Sequence, residues 1–337
     1  MSSAINYDFA FLFKLLALNV LIVFLCDYCA YDALNPAQPC RYNSGDNGLW
    51  LRYYWYKDKY GPSDWQQLSV RLQQHQIDDA YFHVLNVKSD GSLASPSLLQ
   101  ARKITDFVHT RGVGSKVVSA ASRVRAIAWV YVGAQTDHVN LDNLSVRRRL
   151  VQEAKWLTQE CGFDGVQWDY EFAVNGNQGL LRLLDETKKA LPQDKLLSVA
   201  TPMWYPFVLW GWSDEYFQEV ARRCDQIAVM CYDSYLYSPA AYVWLVKQQA
   251  IHLTDDCHEA NKRCKLILGL PTYEDVTLAH NRHTESLDNA LQGVCAGLER
   301  AGSARQSFSG VALFADYTTD DAEWHEFDRL WLRSEER

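Results

Sequence analysis

Apolar, β-branched and aromatic residues cluster in eight short runs along the chain, at 49–55, 80–87, 126–132, 165–171, 196–200, 226–232, 266–270 and 310–314. Helix-like segments separate them. Between the first two runs, SDWQQLSVRLQQHQI sets Trp65, Leu68, Leu72 and His75 at the three- and four-residue spacing of one helix face, and Ser63 is a plausible N-cap. Before the fourth run, Val146, Leu150, Ala154 and Leu157 form a stripe over 145–161 that Gly162 stops. After it, 180–191 reads as a helix ended by Pro192. Strands alternating with helices imply parallel pairing through right-handed crossovers. Eight such units in about 290 residues predict an α/β fold, a single (β/α)8 TIM-type barrel. An open doubly wound sheet is the rival, but no GxGxxG follows any strand.

No linker, low-complexity tract or repeat divides the 337 residues. The simplest organisation is one barrel domain over 41–337 behind an N-terminal segment over 1–40. Residues 15–26 read LLALNVLIVFLC after Lys14. That is the length of a signal-peptide core and short of the roughly 20 residues that a spanning helix needs. An export signal and an uncleaved membrane anchor both fit, and either predicts an extracytoplasmic location. If Cys26 leaves with a signal, eight of the nine cysteines remain, an even number that can pair. Cys257 and Cys264 flank a short polar stretch and are the expected bridge. Cys161, Cys224 and Cys231 lie in apolar segments and are expected as buried thiols. Cys26 and Cys29 stand alone, without the partners a structural zinc requires.

The net charge of -8 argues against nucleic acid as a partner, because backbone binding needs a basic footprint. The one dense basic run, Arg147 to Arg149, falls in a helix and reads as a solvated face. A neutral polysaccharide suits this balance. The 12 Trp and 19 Tyr can stack on sugars or fill the core.

Active sites of such barrels lie at the C-terminal ends of the strands, so strand ends carry the candidate chemistry. The fourth run, FDGVQWDYE, puts Gln167, Asp169 and Glu171 on one face and Val166, Trp168 and Tyr170 on the other. Covering helices would bury the apolar trio, which leaves the polar trio lining the barrel. Two carboxylates there are unfavourable unless paired, hydrogen-bonded or functional. Glu171, at the strand end, can offer a proton to a leaving oxygen. The charge on Asp169 would raise the proton affinity of Glu171.

DGVQWDYE resembles the DGxDxDxE signature of glycoside hydrolase family 18, the chitinases and their relatives, with Gln167 where the family usually has aspartate. Met230-Cys231-Tyr232-Asp233 is similar to the family's MxYD, and 269–273 resembles its seventh-strand end. The third strand lacks the family's SxGG. The eighth ends at Phe314, where many members place a tryptophan beneath the sugar.

The resemblance implies a glycosidase acting on β-linked N-acetylglucosamine-containing glycans, namely chitin-like oligomers, peptidoglycan or N-glycan cores. It implies a substrate-assisted, retaining mechanism. Glu171 would be the acid/base, Asp169 would orient the acetamido group, and Tyr232 would donate to its oxygen. Gln167 would hydrogen-bond Asp169. Met230, Asp233, Tyr273 and Phe314 would contact the sugar. Trp129 and Trp204 would either stack on pyranose rings or pack in the core. No metal or organic cofactor is implied. The alternative is a carbohydrate-binding barrel that has lost catalysis.

Overall fold

The computed structural model describes residues 37–111, 124–133, 139–170, 174–205 and 211–332. Residues 1–36 of the expected N-terminal segment, with Cys26 and Cys29, and Glu171 lie outside these residues. Eight parallel strands form a closed barrel in sequential order. They are β1 (Asn47–Leu51), β2 (Ile77–Asn86), β3 (Arg125–Tyr131) and β4 (Gly165–Asp169), then β5 (Leu196–Thr201), β6 (Gln226–Met230), β7 (Lys265–Pro271) and β8 (Phe308–Phe314). β1 closes the ring by pairing Gly48 with Ala312 and Leu49 with Leu313 of β8.

The covering helices are α1 (Pro62–Gln74), α2 (Leu98–Arg111), α3 (Leu144–Lys155) and α4 (Gln178–Ala190), followed by α5 (Asp214–Ala221), α6 (Pro239–Ala260), α7 (Leu287–Arg300) and α8 (Asp321–Phe327). Among the described residues, no helix is long and apolar enough to cross a membrane.

All eight expected strands are present, though five end early. β2 and β3 stop one residue short, at Asn86 and Tyr131, β1 stops at Leu51 and runs into a turn, β4 stops at Asp169, and β6 stops at Met230. Two helices also begin earlier than the stripes suggested. α1 is capped by Gly61, not Ser63, because Pro62 takes the first helical position and Asp64 accepts the Gly61 N–H at 2.7 Å. α4 starts at Gln178, with the Asn177 side chain accepting from Leu180 N–H. After α3, a five-residue π turn (Trp156–Glu160) carries the chain to Gly162, whose φ of +87° makes it the stop.

Alternation along the strands separates two apolar layers. Outward residues such as Leu49, Phe82, Val166, Trp168 and Leu268 pack under the helices. Inside, Trp50, Tyr81, Ile127, Ala228, Ile267 and Ala312 fill the barrel. Large rings fit because facing positions are small. A Cβ on Gly269 would lie 2.8 Å from the Trp50 ring, and one on Gly48 would lie 2.8 Å from Tyr81.

Two expectations fail outside the barrel. Cys40, ahead of β1, is bridged to Cys295 on α7, a separation of 255 residues that local spacing could not reveal. Cys257 and Cys264 are buried free thiols, and Cys264 lies 3.9 Å from Cys224. Both sit in the apolar layer between helices and barrel; their short sequence spacing says nothing about the side-chain directions a bridge requires. Cys161, Cys224 and Cys231 are buried thiols as expected. Arg147 is not on a solvated face. It is 6% exposed, donating to Glu186 at 3.0 Å and to the Leu141 carbonyl at 2.7 Å.

Candidate active site

β4 alternates as its residue types require. Trp168 points outward and donates its indole N–H to Thr187 on α4 at 3.2 Å. Gln167 and Asp169 point inward, at 0% and 2% exposure. The Gln167 amide oxygen accepts from the Trp50 indole on β1 at 2.8 Å, and its nitrogen donates to Ser198 on β5 at 3.0 Å. The hydrogen bond expected from Gln167 to Asp169 is not among these, because the amide lies sideways across the barrel. Asp169 instead takes the Trp129 indole N–H on its Oδ2 at 2.8 Å. Trp129 is thus part of the barrel interior, and its ring stacks on His83 of β2 with centroids 4.4 Å apart. Burial pushes the His83 imidazole down to about 4, so this ring is neutral at ordinary pH.

Phe314, at the end of β8, is the hub of an aromatic floor. Tyr232 stacks on it at 4.9 Å, while Trp50, Trp129 and Tyr273 meet it edge-on at 5.9, 6.2 and 6.1 Å. Met230 is the half-buried last residue of β6. Just beyond it, Tyr232 is buried, and Asp233 is exposed with a φ of +55°. The Tyr273 hydroxyl donates to Asp233 Oδ1 at 2.8 Å. Burial and then the Asp233 charge push that hydroxyl's pKa well up, so it stays protonated as a donor. Of the two readings kept for the tryptophans, packing applies to Trp204. It is 7% exposed and stacks on His252 of α6 at 4.0 Å, with its backbone clasped by Gln249.

The strand ends therefore bring together Asp169, Trp129, Tyr232, Asp233, Tyr273 and Phe314, with Gln167 one layer deeper, and leave Trp204 outside. Sequence reasoning passed over Trp50, Ser198 and His83, which the alternation rule applied to β1, β5 and β2 would have marked as inward. It also passed over His280 and Glu285, which lie in the connection between β7 and α7 and carry no periodic signal. Asp233, His280 and Glu285 bring ligand-type atoms within 4.8 Å of one another. Both His280 nitrogens and both Glu285 oxygens are already bonded to protein groups, so the trio is a hydrogen-bond network and not an open metal cradle.

The family model described as "Glycosyl hydrolases family 18" matches residues 50–331. No curated relative matches the chain. Similar folds occur in the spore cortex-lytic enzyme SleL of Bacillus cereus, with a TM-score of 0.59 and 10% identity over 88% of this chain and 75% of that one. A chitinase from Chromobacterium violaceum aligns with a TM-score of 0.54 and 14% identity, covering 86% of this chain and 99% of that one. A chitinase from Bacteroides thetaiotaomicron gives 0.56 and 15%, covering 85% and 94%. At these identities the likeness is one of fold.

Proposed function

Because the chain belongs to glycosyl hydrolases family 18, with the fold of a chitinase-type glycosidase, we propose that it hydrolyses β-linked N-acetylglucosamine-containing glycans with retention of configuration. The observation that carries this reading is the placement of Asp169: buried at the barrel mouth, oriented by a neutral indole, and two residues before Glu171.

In this reading, Glu171 protonates the glycosidic oxygen as the bond to the anomeric carbon breaks. The substrate's acetamido oxygen attacks that carbon in place of an enzyme nucleophile. Asp169 accepts the acetamido N–H and its negative charge stabilises the oxazolinium ion. The Tyr232 hydroxyl donates to the acetamido oxygen. Glu171, now ionised, takes a proton from the water that opens the ring, which regenerates the acid. Phe314 and its ring of aromatics supply the apolar floor beneath the sugar, and Asp233 and Tyr273 bond its hydroxyls. Gln167 cannot exchange a proton with Asp169, as the family's usual aspartate can. Asp169 therefore works as a fixed anion, oriented from β3 by Trp129.

The Cys40–Cys295 disulfide supports an oxidising, extracytoplasmic compartment, with the apolar run over 15–26 as signal or membrane anchor. Proton NMR of the first product formed from N-acetylglucosamine oligomers tests the mechanism. The β-anomer is expected to appear first, and an initial α-anomer would rule out the acetamido route. A carbohydrate-binding barrel without turnover is the second reading, favoured by the glutamine at 167.

A further inference from the structure

Resting on the function proposed above, we propose that the buried pair His280–Glu285 is the positioning device that sets Tyr232, Asp233 and Tyr273 against the substrate. Glu285 is 1% exposed and His280 is 0% exposed. The Glu285 carboxylate lies inside the turn that follows β6. Its Oε2 accepts the Asp233 N–H at 2.9 Å, and its Oε1 accepts the Ser234 N–H at 2.8 Å together with the Ser234 hydroxyl. His280 Nδ1 approaches Oε2 at 2.7 Å, while Nε2 faces the Tyr273 carbonyl oxygen at 3.0 Å. A carbonyl can only accept, so Nε2 carries a proton. Nδ1 and Glu285 Oε2 share the proton between them. The pair is a buried, hydrogen-bonded imidazole and carboxyl group with every polar atom partnered.

That arrangement closes a circuit. Tyr273 donates to Asp233, the Asp233 amide donates to Glu285, Glu285 holds His280, and His280 bonds and packs against Tyr273, with ring centroids 4.0 Å apart. The circuit ties the end of β6 to the segment after β7. It also accounts for the backbone there. Asp233 and Tyr235 have φ of +55° and +59°, a region unfavourable for residues with a side chain. In that conformation consecutive amides converge on one anion, here the Glu285 carboxylate. Burying such a polar pair is a poor route to stability, since an apolar pair of similar volume often does as well or better. What the pair supplies is a fixed direction for Tyr232 and Asp233.

The test compares the full chain with Glu285→Gln, His280→Phe, His280→Gln and Val294→Ala. Val294 is fully buried on α7, so its truncation reports plain destabilisation. Each is assayed for kcat and KM on N-acetylglucosamine oligomers, for oligomer affinity by calorimetry, and for the urea midpoint. Glu285→Gln and His280→Phe are expected to lower kcat by about 10- to 100-fold, the effect of a misplaced contact near the reacting centre, with KM changed much less. His280→Gln, whose amide can still donate to Glu285, is expected to recover part of the loss. Val294→Ala lowers only the urea midpoint. Parental kcat and KM in Glu285→Gln, with a loss of stability alone, overturns the positioning role. So does a urea midpoint of the parent that falls on treatment with EDTA, which would mean the cluster holds an ion. Asp169→Asn run alongside separates the two claims. If the parent turns over no faster than Asp169→Asn, the hydrolase reading fails and the circuit is judged on affinity. Glu285→Gln must then bind oligomers at least tenfold more weakly than Val294→Ala, and equal or undetectable binding in both overturns it.

Discussion

Two buried carboxylates sit inside the same barrel, one near each end, and they are handled differently. At the floor, Asp79 is fully buried and meets a guanidinium. Arg125 Nε donates to Oδ1 at 2.6 Å and Nη2 to Oδ2 at 3.0 Å, with Gln226 adding a third donor at 2.7 Å. Gln226 in turn accepts from the Tyr81 hydroxyl at 2.8 Å. At the mouth, Asp169 is equally buried but takes an indole N–H from β3. A guanidinium pairs charge with charge, whereas an indole donates one N–H that fixes a direction. The floor holds the barrel together. On the proposed function, the mouth presents Asp169 to a positively charged intermediate.

The contrast breaks most sharply under substitution. Asp169→Asn keeps the shape and the Trp129 partner but removes the charge. Turnover is expected to fall by about 10²- to 10⁴-fold while the urea midpoint stays near the parent's; a large stability loss would make Asp169 a structural group like Asp79. Arg125→Met does the reverse. It strands Asp79 in the barrel and is expected to lower unfolding free energy by about 3–5 kcal/mol with kcat kept, as read by urea titration alongside the oligomer assay.

Trp129→Phe refines the comparison further. It removes the N–H and keeps a ring, and kcat is expected to drop by about tenfold, in line with the loss of a hydrogen bond to a charged group. Trp168→Phe also loses an indole bond, to Thr187 on the outer face, and serves as the control whose kinetics should not change. Equal kinetic losses in both would erase the distinction between inner and outer faces of β4.

The last contrast is in pH dependence and concerns His83. Its folded value of about 4 lies below the ordinary 6.5 because of burial, so as pH falls the unfolded chain takes up this proton first. Stability is therefore fully present above about pH 6.5 and is lost as pH drops through 4, by about 3 kcal/mol in all. His83→Phe should flatten that part of the urea-midpoint profile between pH 7 and pH 4, and an unchanged slope would mean other groups carry it.

The barrel was legible because each strand carries a run that two apolar layers need, and each helix a stripe that one layer needs. The acidic strand was legible for the same reason: polar residues at alternate positions in an apolar context have nowhere to go but inward. What stayed hidden depends on contacts between distant segments. The Cys40–Cys295 bridge joins residues 255 apart, and the side-chain direction of Gln167 follows from Trp50 and Ser198 on two other strands. Trp204 shares the residue type of Trp129, yet α6 claims it. The His280–Glu285 circuit lies in loops, where spacing carries no direction.

The proposed function turns on Glu171 serving first as acid and then as base beside Asp169. Release of reducing ends from N-acetylglucosamine oligomers and from peptidoglycan, by the protein lacking residues 1–36, which keeps the Cys40–Cys295 bridge, and by its Glu171→Gln form, tests it most directly. The account predicts turnover on at least one substrate that vanishes in Glu171→Gln. Equal turnover by both forms would contradict it and place the chemistry elsewhere in the molecule.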